Sequence, residues 1–171
     1  MFIILGSGCR ENIIIKNLKK NNPILELVCI SDYINPQIKE YVKSYILVEN
    51  KDNYNDIFNV IKNIKKKYNR KIIVIPGSEF FLKGKLVDLL LQDDINVIGP
   101  KNNMALIETS KSFCRNYLKY NNLNKYQPEY KIFDNYDEKE IFNYINLLNY
   151  KFVLKADGLY GGKGVQIYSL N

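Results

Sequence analysis

Short apolar segments alternate with amphipathic segments along residues 1–99. The apolar segments have the length and the β-branched or aromatic content of buried strands, and they occupy residues 2–5, 24–30, 45–48, 72–75 and 96–98. Between them, apolar side chains recur at helical spacing in residues 12–20, 52–68 and 84–92. This alternation predicts an α/β fold, in which a parallel, Rossmann-like sheet carries helices on both faces.

The pattern changes after Gly99 and Pro100. Strands are predicted for residues 130–133, 152–155 and 165–168. Helices are predicted for residues 102–107, 111–120 and 137–148, and Thr109 with Ser110 forms an N-cap pair before the second of them. We therefore divide the chain into a first domain, residues 1–99, and the beginning of a second domain, residues 100–171.

Two glycine-containing turns follow the first and fourth predicted strands, at the edge where parallel sheets bind their ligands. Gly6-Ser7-Gly8 follows the first strand, and Pro76-Gly77-Ser78-Glu79 follows the fourth. The first turn is a broken dinucleotide fingerprint, because Glu11 stands where that pattern has its third glycine. It is either a tight strand-to-helix turn or an anion site at a helix N-terminus. Arg10 beside it either adds a bidentate contact or pairs with Glu11.

A glycine-rich turn also joins the last two predicted strands. Its glycines allow backbone N–H groups to approach an anion closely, and Lys155 and Lys163 add positive charge. The turn therefore indicates a polyphosphate site, with an ordinary glycine-rich hairpin as the alternative. It is not a P-loop, since Gly164 stands where serine or threonine follows the lysine of that motif.

The amino-acid composition limits the kinds of domain and active site that this chain can form. The 171 residues, of which 46% are hydrophobic, suffice for one medium domain, or for one domain and part of another. The absence of histidine excludes histidine-activated nucleophiles and histidine metal sites, so any metal would be a hard cation held by carboxylates and phosphates. The cysteines are widely spaced and odd in number, which predicts free thiols in a reducing cytoplasm. No apolar run approaches the roughly 20 residues of a membrane span, so no membrane partner is expected.

The net charge of +7 is compatible with a nucleic-acid partner. The lysines are nevertheless spread along amphipathic segments such as residues 62–67. Lysine, asparagine, isoleucine, tyrosine and phenylalanine are all abundant together, which indicates a bias in codon composition. We therefore do not expect a nucleic-acid function.

Four motifs, taken in chain order, resemble the phosphoribosylamine–glycine ligase family, whose members are ATP-grasp enzymes of purine biosynthesis. Residues 155–165, KADGLYGGKGV, are similar to the family signature KADGLAAGKGV, with Tyr160 and Gly161 in place of two alanines. Residues 6–11 resemble the family's GSGGRE, and residues 76–79 resemble its VGPE. Gly99-Pro100 together with residues 108–113 resembles its GP…EGSKxF segment. The similarity covers the whole chain.

The resemblance implies a pre-ATP-grasp domain followed by the start of an ATP-grasp domain, with ATP and Mg²⁺ as cofactors. The implied nucleotide-binding residues are Lys111, Lys155, Gly158, Gly161, Gly162, Lys163 and Gly164. The implied phosphoribosylamine-binding residues are Gly8, Arg10, Gly77 and Glu79. In the family reaction the γ-phosphoryl group of ATP passes to the carboxylate of glycine, and the amine of phosphoribosylamine then attacks the acyl phosphate. Such chemistry needs positioning and charge neutralisation, so no catalytic nucleophile is implied.

The chain departs from the family pattern at several positions. Cys9 replaces the second glycine of the first motif, and Asn12 replaces the histidine that follows it. Residues 31–36 replace a glycine-rich segment. The resemblance implies that the magnesium ligands and the adenine- and glycine-binding residues lie beyond Asn171. We therefore expect the 171 residues alone to be inactive and to bind ATP weakly, unless a second chain supplies the rest of the fold.

Other functions remain open from the sequence alone. The chain could be a non-catalytic domain that binds a sugar phosphate, a nucleotide or a partner protein. It could also belong to an ATP-grasp ligase for another amine or carboxylate, as the altered residues 31–36 suggest. A Rossmann oxidoreductase would use Asp32, at the end of the second strand, as its ribose-binding acid, but Glu11 breaks the fingerprint of that class.

Overall fold

The computed structural model describes residues 1–149 and 151–169, and the chain forms two compact units, Met1–Ala105 and Leu106–Asn171. The strands of the first unit are β1 (Phe2–Leu5), β2 (Leu27–Ser31), β3 (Ser44–Leu47), β4 (Ile73–Pro76) and β5 (Asn96–Val97). Its helices are α1 (Cys9–Asn21), α2 (Pro36–Lys39), α3 (Tyr54–Tyr68) and α4 (Leu86–Gln92). A further helix, α5 (Asn102–Thr109), begins in the first unit and ends in the second.

The strands of the first unit form one parallel sheet in the order β3-β2-β1-β4-β5. The chain leaves β1 toward β3 on one side and returns to β4 on the other, so β1 and β4 are neighbours although they are distant in sequence. Their register aligns Leu5 with Pro76, which brings the turns after both strands to the same edge. The sequence-based prediction of a parallel α/β fold is therefore confirmed.

Apolar side chains on both faces of the sheet explain why the strands are almost continuously hydrophobic. One face packs against α3 and α4. The fully buried side chains of this contact include Ile3 of the sheet, Ile61 of α3 and Leu90 of α4. The other face packs against α1 and α2 through Ile15 and Ile38, which are also fully buried. The strands of the sheet are therefore buried on both faces.

The second unit is mainly helical. Its helices are α6 (Lys111–Tyr120) and α7 (Glu138–Leu147), and the described residues end in an antiparallel hairpin of β6 (Phe152–Lys155) and β7 (Val165–Tyr168). The rings of Phe152 and Tyr168 stack across the hairpin with centroids 4.8 Å apart. Among the described residues, no helix combines the length and the apolar character that crossing a bilayer requires.

The predicted strand at residues 130–133 is wrong. This segment lies between a short 3-10 helix, Asn124–Tyr126, and α7, and its side chains are fixed by helices and not by a neighbouring strand. The Lys131 ammonium group pairs with Glu140 at 2.7 Å, and the Phe133 ring meets the Tyr144 ring edge-on. Aromatic and β-branched residues favour a half-buried surface of any kind, so their presence alone did not identify a strand.

Other differences concern the ends of elements and short helices. Helix α1 begins at Cys9 and not at residue 12, because the carboxylate of Glu11 accepts a hydrogen bond from the Gly8 backbone and closes the first turn. Strand β2 begins at Leu27, and Ile24, predicted as its first residue, is 89% exposed. Helix α2 and a 3-10 helix, Glu79–Leu82, were not predicted. Both are too short to show a periodic pattern.

Candidate functional site

A cavity of about 430 Å³ lies at the carboxyl edge of the parallel sheet in the first unit. The loops after four strands line it: residues 6–11 after β1, residues 31–33 after β2, Lys51 after β3 and residues 78–81 after β4. Ligands of open α/β sheets bind at this edge, next to the strand at which the order reverses. The topology therefore brings together side chains that are far apart in sequence.

The buried carboxylate of Glu11 forms the floor of this site. Its side chain is only 3% exposed, and it lies against Gly6, Gly8 and Gly77. A Cβ atom at Gly77 would lie 2.4 Å from Glu11 Cγ, and one at Gly8 would lie 2.9 Å from its Oε2. Oε2 also accepts a hydrogen bond from the Gly8 N–H. The Glu11 side chain thus engages the Gly8 N–H, a backbone group of the turn that binds the pyrophosphate in the Rossmann fingerprint, which argues against the oxidoreductase hypothesis.

Arg10 and Glu79 form an ion pair above this floor. The guanidinium group of Arg10 donates to Oε2 of Glu79 at 2.7 Å, joining the turn after β1 to the turn after β4. The hydrogen bond from the Glu79 backbone N–H and the one from Arg10 lower the pKa of Glu79, and partial burial opposes them. The Arg10 side chain is 68% exposed, so its cationic group is accessible to a ligand in the cavity.

A second ion pair joins the ends of β2 and β3. The ammonium group of Lys51 donates to Oδ2 of Asp32 at 2.8 Å, and it lies 4.9 Å from the centroid of the Phe80 ring. Partial burial acts to raise the pKa of Asp32. The hydrogen bonds from Lys51, from the Asp32 backbone N–H and from Ser31 outweigh it, so this pKa is lower than usual. The hydrogen bond to Asp32 correspondingly raises the pKa of Lys51. Both groups are therefore charged at neutral pH.

Hydrogen bonds among buried groups fix the loop after β2. The hydroxyl groups of Ser7 and Ser31 lie 2.7 Å apart, and both side chains are almost completely buried. The Ser7 hydroxyl also lies 3.1 Å from the Tyr33 carbonyl, and the Asn35 side chain donates to the Ser7 carbonyl at 2.9 Å. The hydroxyl of Tyr45 donates to the Tyr33 carbonyl at 2.9 Å. Polar contacts with the turn after β1 thus order residues 31–35.

The second candidate site lies in the second unit, where Asp157 caps helix α6. One carboxylate oxygen accepts from the backbone N–H groups of Lys111, at 2.6 Å, and Ser112, at 3.2 Å. The other accepts from the hydroxyl groups of Ser110, at 3.0 Å, and Ser112, at 2.5 Å. Desolvation acts to raise the pKa of Asp157, but these hydrogen bonds and one from the Gly158 N–H lower it to about 2.

Lys111 lies directly beside this cap. Its ammonium group donates to the carbonyl of Gly158 at 2.7 Å, so two of the predicted nucleotide-binding residues are in contact. The first residues of the glycine-rich loop are therefore attached to the N-terminal turn of α6 at two points, through Asp157 and through the Gly158 carbonyl.

The rest of the loop has few attachments. Gly161 and Gly162 have φ values of +56° and +80°, and a Cβ atom at either would meet nothing within 4 Å. Lys155 stands opposite Val165 at the end of β6, and Lys163 lies in the exposed loop. Neither ammonium group has a hydrogen-bond or ion-pair partner within residues 1–149 and 151–169. Gly164 is more confined, since its Cβ would lie 2.9 Å from the Tyr160 side chain.

The structure thus places the predicted residues in two groups. Gly8, Arg10, Gly77 and Glu79 meet around Glu11, while Lys111, Lys155, Gly158, Gly161, Gly162, Lys163 and Gly164 lie along the hairpin loop and the start of α6. Sequence reasoning omitted Glu11, Asp157 and Lys51 from the site. The spacing Gly8-x-x-Glu11 of a capping box and the acceptor-rich Asp157-Gly158 pair were available signals for the first two. Lys51 has no such signal, because only the order of the strands brings it to Asp32.

The side chains that could bind a metal ion are not clustered among the described residues. Among the described residues, no group of three or more histidine, cysteine, aspartate or glutamate side chains is arranged to hold a metal ion. The two aspartates of the candidate sites, Asp32 and Asp157, are each engaged by protein donors.

Comparison with known proteins places these features in a family. Residues 1–108 match the N domain of phosphoribosylglycinamide synthetase, and residues 109–171 match its ATP-grasp (A) domain. The phosphoribosylamine–glycine ligase of Methanocaldococcus jannaschii is 35% identical over 168 residues, which are 96% of this chain and 36% of that protein. The bifunctional purine biosynthetic protein purD of Dictyostelium discoideum is 33% identical over 166 residues, again 96% of this chain but 19% of that protein. The chain therefore spans about a third or less of these relatives.

Solved structures agree on the fold. The biotin carboxylase domain of the Hydrogenobacter thermophilus 2-oxoglutarate carboxylase superposes with a TM-score of 0.69 at 17% identity, covering 97% of this chain and 37% of that one. The N5-carboxyaminoimidazole ribonucleotide synthetase of Thermotoga maritima superposes with a TM-score of 0.66 at 16% identity, covering 97% and 40%. At these identities the likeness supports the fold alone.

The contact between Gly77 and Glu11 leads to a test by a double-mutant cycle. Gly77→Ala should destabilise the first unit by about 1–3 kcal/mol, because its Cβ would overlap the Glu11 side chain. The backbone of Gly77 does not require glycine, since its φ is not positive. In the background of Glu11→Ala the same substitution should cost much less, because the overlap is gone. Urea unfolding of the four proteins measures the coupling, and strictly additive effects would contradict the packing described.

The cap at α6 leads to a test by titration. We expect NMR titration of the Asp157 carboxyl group to give a pKa of about 2, compared with an ordinary value of 3.8. Since the pKa is lower in the folded than in the unfolded state, the cap stabilises the fold fully above about pH 4, and this contribution is lost as the pH falls through about 2. Ser112→Ala should raise the pKa, whereas Ser169→Ala, at an exposed serine of the same unit, should not. An Asp157 pKa that does not respond to Ser112→Ala would refute the cap.

Proposed function

The chain belongs to the phosphoribosylglycinamide synthetase family, and we propose that it forms the N-terminal part of an ATP-dependent ligase that joins glycine to phosphoribosylamine in purine biosynthesis. In this proposal the first domain, residues 1–99, binds phosphoribosylamine, and residues 100–171 begin the ATP-grasp domain. Because the chain covers only 36% of the M. jannaschii ligase, the complete reaction requires more of the fold than these residues provide.

The observation that carries the proposal is the convergence of Gly8, Arg10, Gly77 and Glu79 at one edge of the sheet. Phosphoribosylamine carries a phosphate, ribose hydroxyl groups and an amine, so a complementary site needs both cationic and anionic side chains. The cavity offers the guanidinium group of Arg10 for the phosphate and carboxylates for the hydroxyl and amine groups. Gly8 and Gly77 leave the room in which the Glu11 side chain lies, and so shape the cavity floor.

The hairpin loop is proposed to bind the phosphates of ATP. The ammonium groups of Lys155 and Lys163 have no anionic partner among the described residues, and the backbone at Gly161 and Gly162 is open on the side where a Cβ atom would lie. These features fit a polyphosphate, which needs cations and exposed N–H groups at short range. Lys111 is proposed to contact the same nucleotide from the start of α6, next to Gly158.

Magnesium would act with the bound nucleotide, where it neutralises charge on the transferred phosphoryl group. Among the described residues, no group of three or more carboxylates is arranged to hold it. In this proposal the chain binds and orients the substrate and the nucleotide. Arg10 positions the amine-bearing substrate, and the lysines position the nucleotide while the loop excludes water.

The substrate pocket is tested by calorimetry with ribose 5-phosphate, a stable stand-in for phosphoribosylamine. We expect the 171-residue chain to bind it, and we expect Arg10→Ala to weaken binding roughly tenfold or more, because a charge-assisted contact to the phosphate is lost. Arg70→Ala is the matched control, since Arg70 pairs with Glu26 just before β2, at the opposite edge of the sheet. The exposed thiol of Cys9 lines the cavity and gives a second signal. Ribose 5-phosphate should slow the alkylation of this thiol. If ribose 5-phosphate gives no heat of binding and does not protect Cys9, the proposal for the first unit is wrong.

The ligase reaction is tested in a chimera. This chain replaces the segment of the M. jannaschii ligase that it matches, which is 36% of that protein, and release of ADP is measured with glycine and phosphoribosylamine. We expect release to depend on both substrates, and we expect Lys163→Ala to lower kcat/KM for ATP by about tenfold, since a phosphate-binding cation is removed. Lys139→Ala, at an exposed lysine of α7, should have no effect. A folded chimera that releases ADP without either substrate would argue for a different reaction.

A further inference from the structure

Four charged side chains line the mouth of the cavity, each from the end of a different strand. Arg10 follows β1, Asp32 follows β2, Lys51 follows β3 and Glu79 follows β4. They are joined as two ion pairs, Arg10 with Glu79 at 2.7 Å and Lys51 with Asp32 at 2.8 Å. The first pair belongs to the proposed substrate site, whereas the second has no assigned role.

We propose that Asp32, held in place by Lys51, determines specificity by accepting a hydrogen bond from the ribose 2-hydroxyl group of the substrate. The site would then select ribosyl phosphates over 2-deoxyribosyl phosphates. This inference rests on the proposed function, because it assumes that a sugar phosphate occupies the cavity.

The hydrogen-bonding capacity of Asp32 supports this assignment. An ionised carboxylate has about four acceptor positions on its two oxygens. In the structure Oδ2 accepts from Lys51, and Oδ1 accepts from the Ser31 hydroxyl at a longer distance of 3.2 Å. The Asp32 backbone N–H is a third donor to this carboxylate, so one acceptor position remains for a ligand. The 2-hydroxyl group of a furanose ring is a donor that can fill it.

The position of Asp32 is fixed before any ligand arrives. Ser31 is buried and its hydroxyl group lies 2.7 Å from that of Ser7, while Asn35 and Tyr45 hold the backbone that follows. Lys51 is held in turn between the Asp32 carboxylate and the Phe80 ring. A carboxylate that is already ordered loses little conformational freedom on binding, so its contacts contribute fully to discrimination.

The position of this pair in the cavity lining distinguishes it from an ordinary surface ion pair. The side chains of Lys51 and Asp32 are 35% and 29% exposed, and both line the cavity, so the pair is partly withdrawn from bulk water but open to a ligand. An exposed pair on a flat surface contributes little to stability. The fixed loop and the aromatic contact therefore suit recognition better than stabilisation.

The experiment compares the affinity of the 171-residue chain for ribose 5-phosphate, 2-deoxyribose 5-phosphate and arabinose 5-phosphate by calorimetry. In the unmodified protein we expect ribose 5-phosphate to bind about tenfold more tightly than the 2-deoxy sugar, the size of effect that one lost hydrogen bond to a charged group produces. Arabinose 5-phosphate, with the inverted 2-hydroxyl group, should also bind more weakly. Asp32→Ala should reduce the preference to near unity by weakening ribose 5-phosphate selectively.

Glu26→Ala is the matched control, because Glu26 precedes β2 at the opposite edge and accepts from Lys43 and Arg70. It should leave the preference unchanged. Asp32→Asn, which keeps the shape but not the charge, should give an intermediate preference, and it serves as the test if the alanine variant does not fold. Equal binding of ribose and 2-deoxyribose 5-phosphates to the unmodified protein would overturn the specificity role while leaving the proposed pocket intact. Absence of binding by all three sugars would overturn both.

Discussion

The buried carboxylate of Glu11 determines how the carboxyl edge of the parallel sheet is built. It occupies space that Cβ atoms would fill at Gly8 and Gly77, and it receives the Gly8 N–H. The turn after β1, the first turn of α1 and the turn after β4 are therefore packed around one side chain. Arg10 and Glu79 face each other because of this packing, since each stands within three residues of a glycine in contact with Glu11. The substrate pocket proposed for the first unit depends on that arrangement more than on any residue at its surface.

The hairpin in the second unit is held in a different way. A two-stranded sheet alone is marginally stable in water, and both faces of this one are largely exposed, with Leu154 at 52% and Ile167 at 78%. Within the described residues, the rings of Phe152 and Tyr168 stack across the hairpin, and the Asp157 carboxylate and the Gly158 carbonyl attach the start of the loop to α6. These fix the base of the glycine-rich loop and leave its tip unattached. A loop of this kind can adapt to a ligand at small energetic cost, whereas the pocket at the sheet edge is already formed.

Much of the first unit could be predicted from sequence because its strands are buried on both faces and its helices have a clear apolar periodicity. The prediction failed at residues 130–133, where an extended aromatic segment packs on helices through Phe133 and Lys131. It also failed to recognise what Glu11 does. In the sequence this residue only interrupts a glycine fingerprint, and its role becomes visible when β4 is placed beside β1. Lys51 illustrates the same limit, because a lysine in a polar loop acquires meaning only from the carboxylate that the fold brings to it.

The two proposed sites differ in whether their charged side chains are paired, and therefore in how they would bind a ligand. Arg10 and Lys51 are each paired with a carboxylate, so a ligand entering the sheet-edge pocket exchanges contacts with groups already ordered and partly neutralised. Such a site selects by geometry, because the net charge gained on binding is small. Lys155 and Lys163 have no acidic partner among the described residues, and the loop that carries Lys163 is not held at its tip. A site of that kind binds through charge and orders itself around a polyanion. Under the proposed function, the ordered ion pairs at the sheet would recognise the sugar phosphate, and the lysines of the hairpin would hold the phosphates of the nucleotide.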